Sequence, residues 1–250
     1  MYRSLDPEKI VETAGALRDR IAERFPGSGL SNVGSELLSI TGEAAAFSHW
    51  LDKPLLPLRF LVGLCIVAIV GIAFGVVFFV DAKSYFSSLA EFFQGLDAAI
   101  NDVVFIGIAI YFLLTWETRL KRRRALKAIH VLRSLAHIID MHQLTKDPEG
   151  ITQTRPNTKS SPKRVMTPFE LMRYLDYCSE SLSLISKVGA LYVQNFTDPV
   201  TVSAVNEIED LSSGLSRKIW QKIMILDRTV SPNNSPAGSE RSTASEANPE

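Results

Sequence analysis

The sequence is poor in cysteine and has no excess of either charge. Two cysteines in 250 residues do not make a disulfide framework. The 27 Lys and Arg residues are matched by 27 Asp and Glu, so the net charge is zero, which excludes nucleic-acid binding driven by global charge. There is no P-loop, dinucleotide-binding glycine fingerprint, GxSxG elbow, HExxH helix or CxxC pair. No catalysis and no cofactor are therefore expected. The opening MYRSLDPEKI contains no apolar run of the kind that marks a secretory signal. Against these absences stands one excess. With 22% charged residues the mean hydropathy is still +0.10, so apolar residues must be concentrated somewhere.

They are concentrated in two runs. Phe60 to Val80 holds 21 residues without a charge, which as a helix is about 30 Å, the thickness of a bilayer's hydrocarbon core. Val103 to Trp116 is shorter at 14 residues, and reaches spanning length when extended back through Ile100, Ala99, Ala98 and Leu96. A two-helix membrane hairpin over 58–118 is expected. Its linker, near 81–101, carries Asp81, Glu91 and Asp97 against Lys83, whereas Arg119, Lys121, Arg122, Arg123, Arg124 and Lys127 crowd the far end of the second run. By the positive-inside rule the basic end is cytoplasmic, the linker faces outward and both termini are cytoplasmic, which suits a bacterial inner or other plasma membrane. Cys65 and Cys178 then lie in different compartments and stay reduced.

The remaining chain reads as helices. Asp6-Pro7 offers a cap and a first-turn proline, followed by Ile10, Ala14, Leu17 and Ile21 at helical spacing. Ser31 is positioned to cap a second helix carrying Val33, Leu37, Leu38, Ala44 and Phe47, and residues 1–57 together make an amino-terminal cytosolic hairpin close to the bilayer. Over 119–144 the second span continues into the cytosol with Leu126, Ile129, Leu132, Leu135, Ala136 and Ile139 on one stripe. A basic, flexible loop is expected at 145–166. Thr167-Pro168-Phe169-Glu170 has the form of a capping box, and Asp198-Pro199 starts a further helix, giving an antiparallel hairpin over 167–229. With the extension of the second span it can form a three-helix bundle or stalk. Residues 230–250 have almost no large apolar side chain and are expected to be disordered.

Four groups of residues invite a functional reading. His130, His137 and Asp140, with Arg133, share one helix face, where imidazoles and a carboxylate can hold a metal. The i,i+4 histidine pair of a helical zinc site is missing, and a solvated polar face accounts for the same residues. Gly71 and Gly75 form a GxxxG in the first run and Gly107 gives the second a small surface. Such faces let membrane helices approach closely, within the hairpin or between copies of the chain. The cluster Arg119, Lys121, Arg122, Arg123 and Arg124 orients the spans and is suited to anionic headgroups. Asn101 and Asp102 lie near the outer edge and read as interfacial.

The chain is thus expected to be an all-α integral membrane protein. Its expected function is that of a scaffold or sensor-type protein whose cytosolic helices serve protein interaction and homo-oligomerisation, with the bilayer and a cytosolic protein as partners and no nucleic acid. The alternative is an oligomeric pore-forming or membrane-perturbing effector controlled by those helices. In general organisation the chain resembles bacterial two-span effectors of that type, a likeness of layout that assigns no residue.

Overall fold

The computed structural model describes residues 4–79, 89–146, 148, 159 and 166–230. Most of the expected basic loop, most of the outward linker's first half and nearly all of the polar tail lie outside the described residues. Among the described residues six helices follow in order: α1 Pro7–Arg24, α2 Gly29–Asp52, α3 Leu56–Phe79, α4 Leu89–Leu144, α5 Pro168–Leu191 and α6 Pro199–Val230. There is no strand among the described residues, and the all-helical class follows.

Local chemistry sets the helix ends. The Asp6 carboxylate accepts the Lys9 N–H at 3.2 Å and Pro7 occupies the first turn, so α1 starts where its missing amide costs nothing. It stops at Phe25, and Gly27 then takes φ +68°, a left-handed conformation that favours glycine. That reversal moves the cap of α2 from the expected Ser31 to Ser28. Ser28 is extended, and its hydroxyl oxygen accepts the Ser31 N–H at 3.1 Å, so Ser31 is the capped residue rather than the cap. At α5 the expected reciprocal pair forms: Thr167 Oγ1 accepts the Glu170 N–H at 3.2 Å, and Glu170 Oε2 accepts the Thr167 N–H at 2.8 Å. Thr167→Ala is expected to lower the stability of the bundle by about 1 kcal/mol in denaturant unfolding, while Thr167→Ser leaves it nearly unchanged.

The core draws on five helices, not three. Ile10, Leu17 and Ile21 of α1, Leu30 and Leu37 of α2, Leu132 and Ile139 of α4, Leu175, Leu182 and Ile185 of α5, and Ile208 and Ile219 of α6 belong to one buried cluster. The amino-terminal hairpin joins because α1 buries only one stripe and needs a partner beyond α2. Phe25 sets its ring edge-on to Tyr174, with centroids 5.3 Å apart, and Arg20 bonds Glu180 of α5. Phe47 stacks on Trp50 at 5.1 Å and lies against Tyr192 at 5.7 Å. The gaps in the apolar stripes, Ser181 and Ser212, are themselves buried. Ser181 Oγ donates to the Tyr177 carbonyl, which satisfies it inside its own helix.

Outside this core stand α3 and the first half of α4. Both are long and apolar enough to cross a membrane, and the most apolar stretch of each is unburied by the rest of the chain. Phe60, Val67 and Val103 are 70% exposed or more. α4 is one helix of 56 residues, about 84 Å, whose second half enters the core without a break.

Candidate functional site

The apolar helices meet the bundle at a charged joint, and the basic run of α4 builds it. α2 ends at Asp52, leaving carbonyls of its last turn without helical partners. Lys121 supplies the missing donors: its ammonium donates to the carbonyls of Leu51 and Lys53, each at 2.9 Å. One turn earlier on α4, Glu117 lies 3.1 Å from the same ammonium. Its carboxylate also accepts Arg59 Nε at 2.7 Å and the Leu55 N–H at 3.3 Å. The Arg59 guanidinium is the chief cause that holds the Glu117 carboxyl down at about 2, with burial opposing and Lys121 and the Leu55 N–H assisting. Lys121 is 8% exposed and Glu117 14%, so the ion pair is buried, while Arg59 reaches outward.

A second tie lies beside it. Arg122 donates through Nε and Nη2 to the Asp198 carboxylate at 2.5 to 3.0 Å. Asp198 also accepts the Thr201 N–H at 3.1 Å and the Thr201 hydroxyl at 2.9 Å, which makes it the cap of α6. Burial pushes this carboxyl up, but Arg122 and Thr201 outweigh it and hold it below the ordinary aspartate range. Arg124 lies over the Trp50 ring, 4.8 Å from its centroid, and Arg119 over Phe112 at 4.6 Å. Of the five basic residues expected at this boundary, Lys121 and Arg122 are therefore structural ties, Arg119 and Arg124 sit on aromatic faces, and Arg123 is exposed.

Sequence reasoning overlooked Arg59, Glu117 and Asp198 as partners of the basic run. The one local signal was Glu117 placed four residues before Lys121, an arrangement that favours pairing on a helix. The contacts with Leu51, Lys53 and Asp198 join positions some 70 residues apart, which no local spacing reveals.

Between the joint and the first turns of α3 lies a cleft of about 540 Å³. Leu58, Val62, Ile66, Leu113 and Leu114 form an apolar end, and Asp52, Arg59, Glu117, Lys121 and Asn195 a polar one.

The other candidates are dispersed. His130 and His137 are exposed, and the Asp140 carboxylate accepts Gln143 Nε2 at 2.6 Å. Arg133 pairs with Glu207 of α6, and the His142 ring lies over Gly29 at the start of α2. Among the described residues no three His, Cys, Asp or Glu side chains are grouped to hold a metal. Cys178 is enclosed in the core, and burial pushes its thiol up to about 12, so it is not a thiolate at neutral pH. A Cβ built on Gly71, Gly75 or Gly107 would meet nothing within 4 Å, so these glycines do not mark a close crossing of α3 and α4 among the described residues. Asn101 and Asp102 are exposed on α4.

Compared with known proteins, the chain matches no family model, no curated protein and no solved structure.

Proposed function

We propose that this is an integral membrane scaffold or sensor-type protein with two spans, α3 and the first half of α4, which hold a helical bundle at the cytoplasmic face for protein interaction and homo-oligomerisation. The observation that carries this reading is the pairing of two unburied apolar helices with a bundle into which α4 runs unbroken. Apolar surface of that extent is unfavourable in water, and a bilayer is the solvent that suits it. No catalytic role is assigned. The cytoplasmic orientation rests on the basic run at the inner end of α4, whose Arg123 and Arg119 side chains remain available to headgroups.

Intact cells test the topology directly. An impermeant thiol reagent is expected to label Ser88→Cys and to spare Ser160→Cys; the opposite pattern overturns the orientation. A pore-forming effector is the second reading, favoured by the open faces at Gly71, Gly75 and Gly107, which suit contacts between copies. Reconstituted protein that leaves a vesicle tight to small dyes, and that co-purifies with a cytosolic protein, supports the scaffold. Dye release lost in Gly71→Leu supports the pore.

A further inference from the structure

The cleft at the base of α3 has features of a lipid site, and the argument rests on the membrane reading above. Its apolar end is formed by Val62 and Ile66 of α3 facing Leu113 and Leu114 of α4, and lies within the segments assigned to the bilayer. Its polar end lies at the joint, where headgroups would be. At about 540 Å³ it falls in the range of sites that enclose a small ligand, roughly 300–1,000 Å³.

The charges at the polar end balance. Arg59 and Lys121 against Glu117 leave one surplus positive charge, and Asp52 supplies one negative charge. Lys121 is already engaged by two carbonyls and Glu117. Arg59 directs Nε and Nη2 to Glu117, and its Nη1 has no partner among the described residues. The Asp52 carboxylate and the Asn195 amide likewise have no side-chain partner among the described residues. The available groups are thus one guanidinium edge, one carboxylate and one amide. A phosphodiester is matched by the first and an ammonium by the second.

We propose that this cleft binds one zwitterionic phospholipid from the inner leaflet. One acyl chain lies between Val62, Ile66 and Leu114, the phosphate meets Arg59, and the headgroup amine meets Asp52. The balance of charge is what favours a zwitterion over an anionic lipid, for which Asp52 is a repulsive neighbour.

Purified full-length protein, washed extensively in a mild detergent and analysed by native mass spectrometry after exposure to equal amounts of ethanolamine and glycerol phospholipids, tests this. About one ethanolamine phospholipid per chain is expected to be retained. Val62→Trp and Leu114→Trp, which fill the cleft from opposite walls, are each expected to lower retention about tenfold with the unfolding midpoint kept. Phe105→Trp, on the exposed face of α4, retains it. Asp52→Asn is expected to shift the preference toward the glycerol lipid. Undiminished retention in both tryptophan variants, or a preference of the unmodified protein for the glycerol lipid, overturns the proposal. Release of the unmodified protein from membranes by alkaline carbonate overturns the membrane reading itself, and this is measured separately.

Discussion

Glu117→Ala is expected to lower the free energy of unfolding by about 3 kcal/mol, the largest effect of any single change at the joint. The substitution leaves the Lys121 ammonium, 8% exposed, without its countercharge, and breaking one side of a buried pair costs about 3–5 kcal/mol. The lower end of that range applies, because the Leu51 and Lys53 carbonyls still accept from the ammonium. Arg59, the chief cause of the lowered carboxyl, is 61% exposed and recovers its hydration when Glu117 is lost, so it limits the cost. Glu117→Gln keeps the shape and removes the charge, and its effect must depend on pH. A glutamate at about 4.5 in the unfolded chain and about 2 in the fold contributes its full stabilisation above pH 4.5. That contribution is lost as the pH falls toward 2. Denaturant titrations in detergent at pH 7 and near pH 3 are therefore expected to show a wide gap between the natural chain and Glu117→Gln that narrows in acid. Adding Lys121→Met to Glu117→Gln is expected to recover part of the loss, because no unpaired ammonium remains. A gap that does not change with pH would remove Glu117 from its assigned role.

Asp198→Ala is expected to cost about 2–3 kcal/mol. The carboxylate is the cap of α6 and the acceptor for Arg122 at once. Losing a cap accounts for about 1 kcal/mol. The Thr201 hydroxyl, which also donates to this carboxylate, then lies buried without that acceptor, which adds about 1–2 kcal/mol. Arg122 is 36% exposed and recovers its hydration, so it limits the loss. Asp198→Asn preserves the cap and is expected to cost about half as much. Hydrogen exchange separates the two roles: in Asp198→Ala the amides of the first turn of α6 exchange faster, and in Asp198→Asn they stay protected. Equal exchange in both variants would show that the cap contributes nothing.

The helices were legible where local chemistry decides them. Asp6-Pro7, Thr167-Pro168 with Glu170, and Asp198-Pro199 each open a helix at the expected residue, and the apolar stripes of Ile10 to Ile21 and Leu171 to Val188 are the faces that are buried. The cap of α2 was placed three residues late: Pro26-Gly27 marks the turn and Gly27 takes the positive φ, but Ser28 and Ser31 are both competent caps and spacing alone does not choose between them. The joining of α1 and α2 to the bundle was not legible. An apolar stripe fixes which face is covered but not by what, and a stripe destined for a protein core reads the same as one destined for a membrane surface.

The candidate site shows the same division more sharply. A dense run of Arg and Lys after an apolar segment was read as orienting the spans and suited to anionic headgroups. Lys121 instead lies in the interior, because a helix end from another part of the chain supplies carbonyls at that point. Charge at a helix terminus is satisfied by whatever the tertiary structure brings there, and sequence spacing carries only the i,i+4 share of it.

The uninterrupted course of α4 has a mechanical consequence. A helix without proline from Leu89 to Leu144 behaves as a stiff lever pivoting at the joint. A tilt of about 5° at Trp116 displaces its far end, roughly 40 Å away, by about 4 Å. That exceeds the 1–2 Å helix shifts by which packed interfaces commonly switch. A tilt of the apolar half of α4 has no proline kink in the helix to absorb it, so it is taken up where the second half packs against α2, α5 and α6, beside the Glu117 and Asp198 ties.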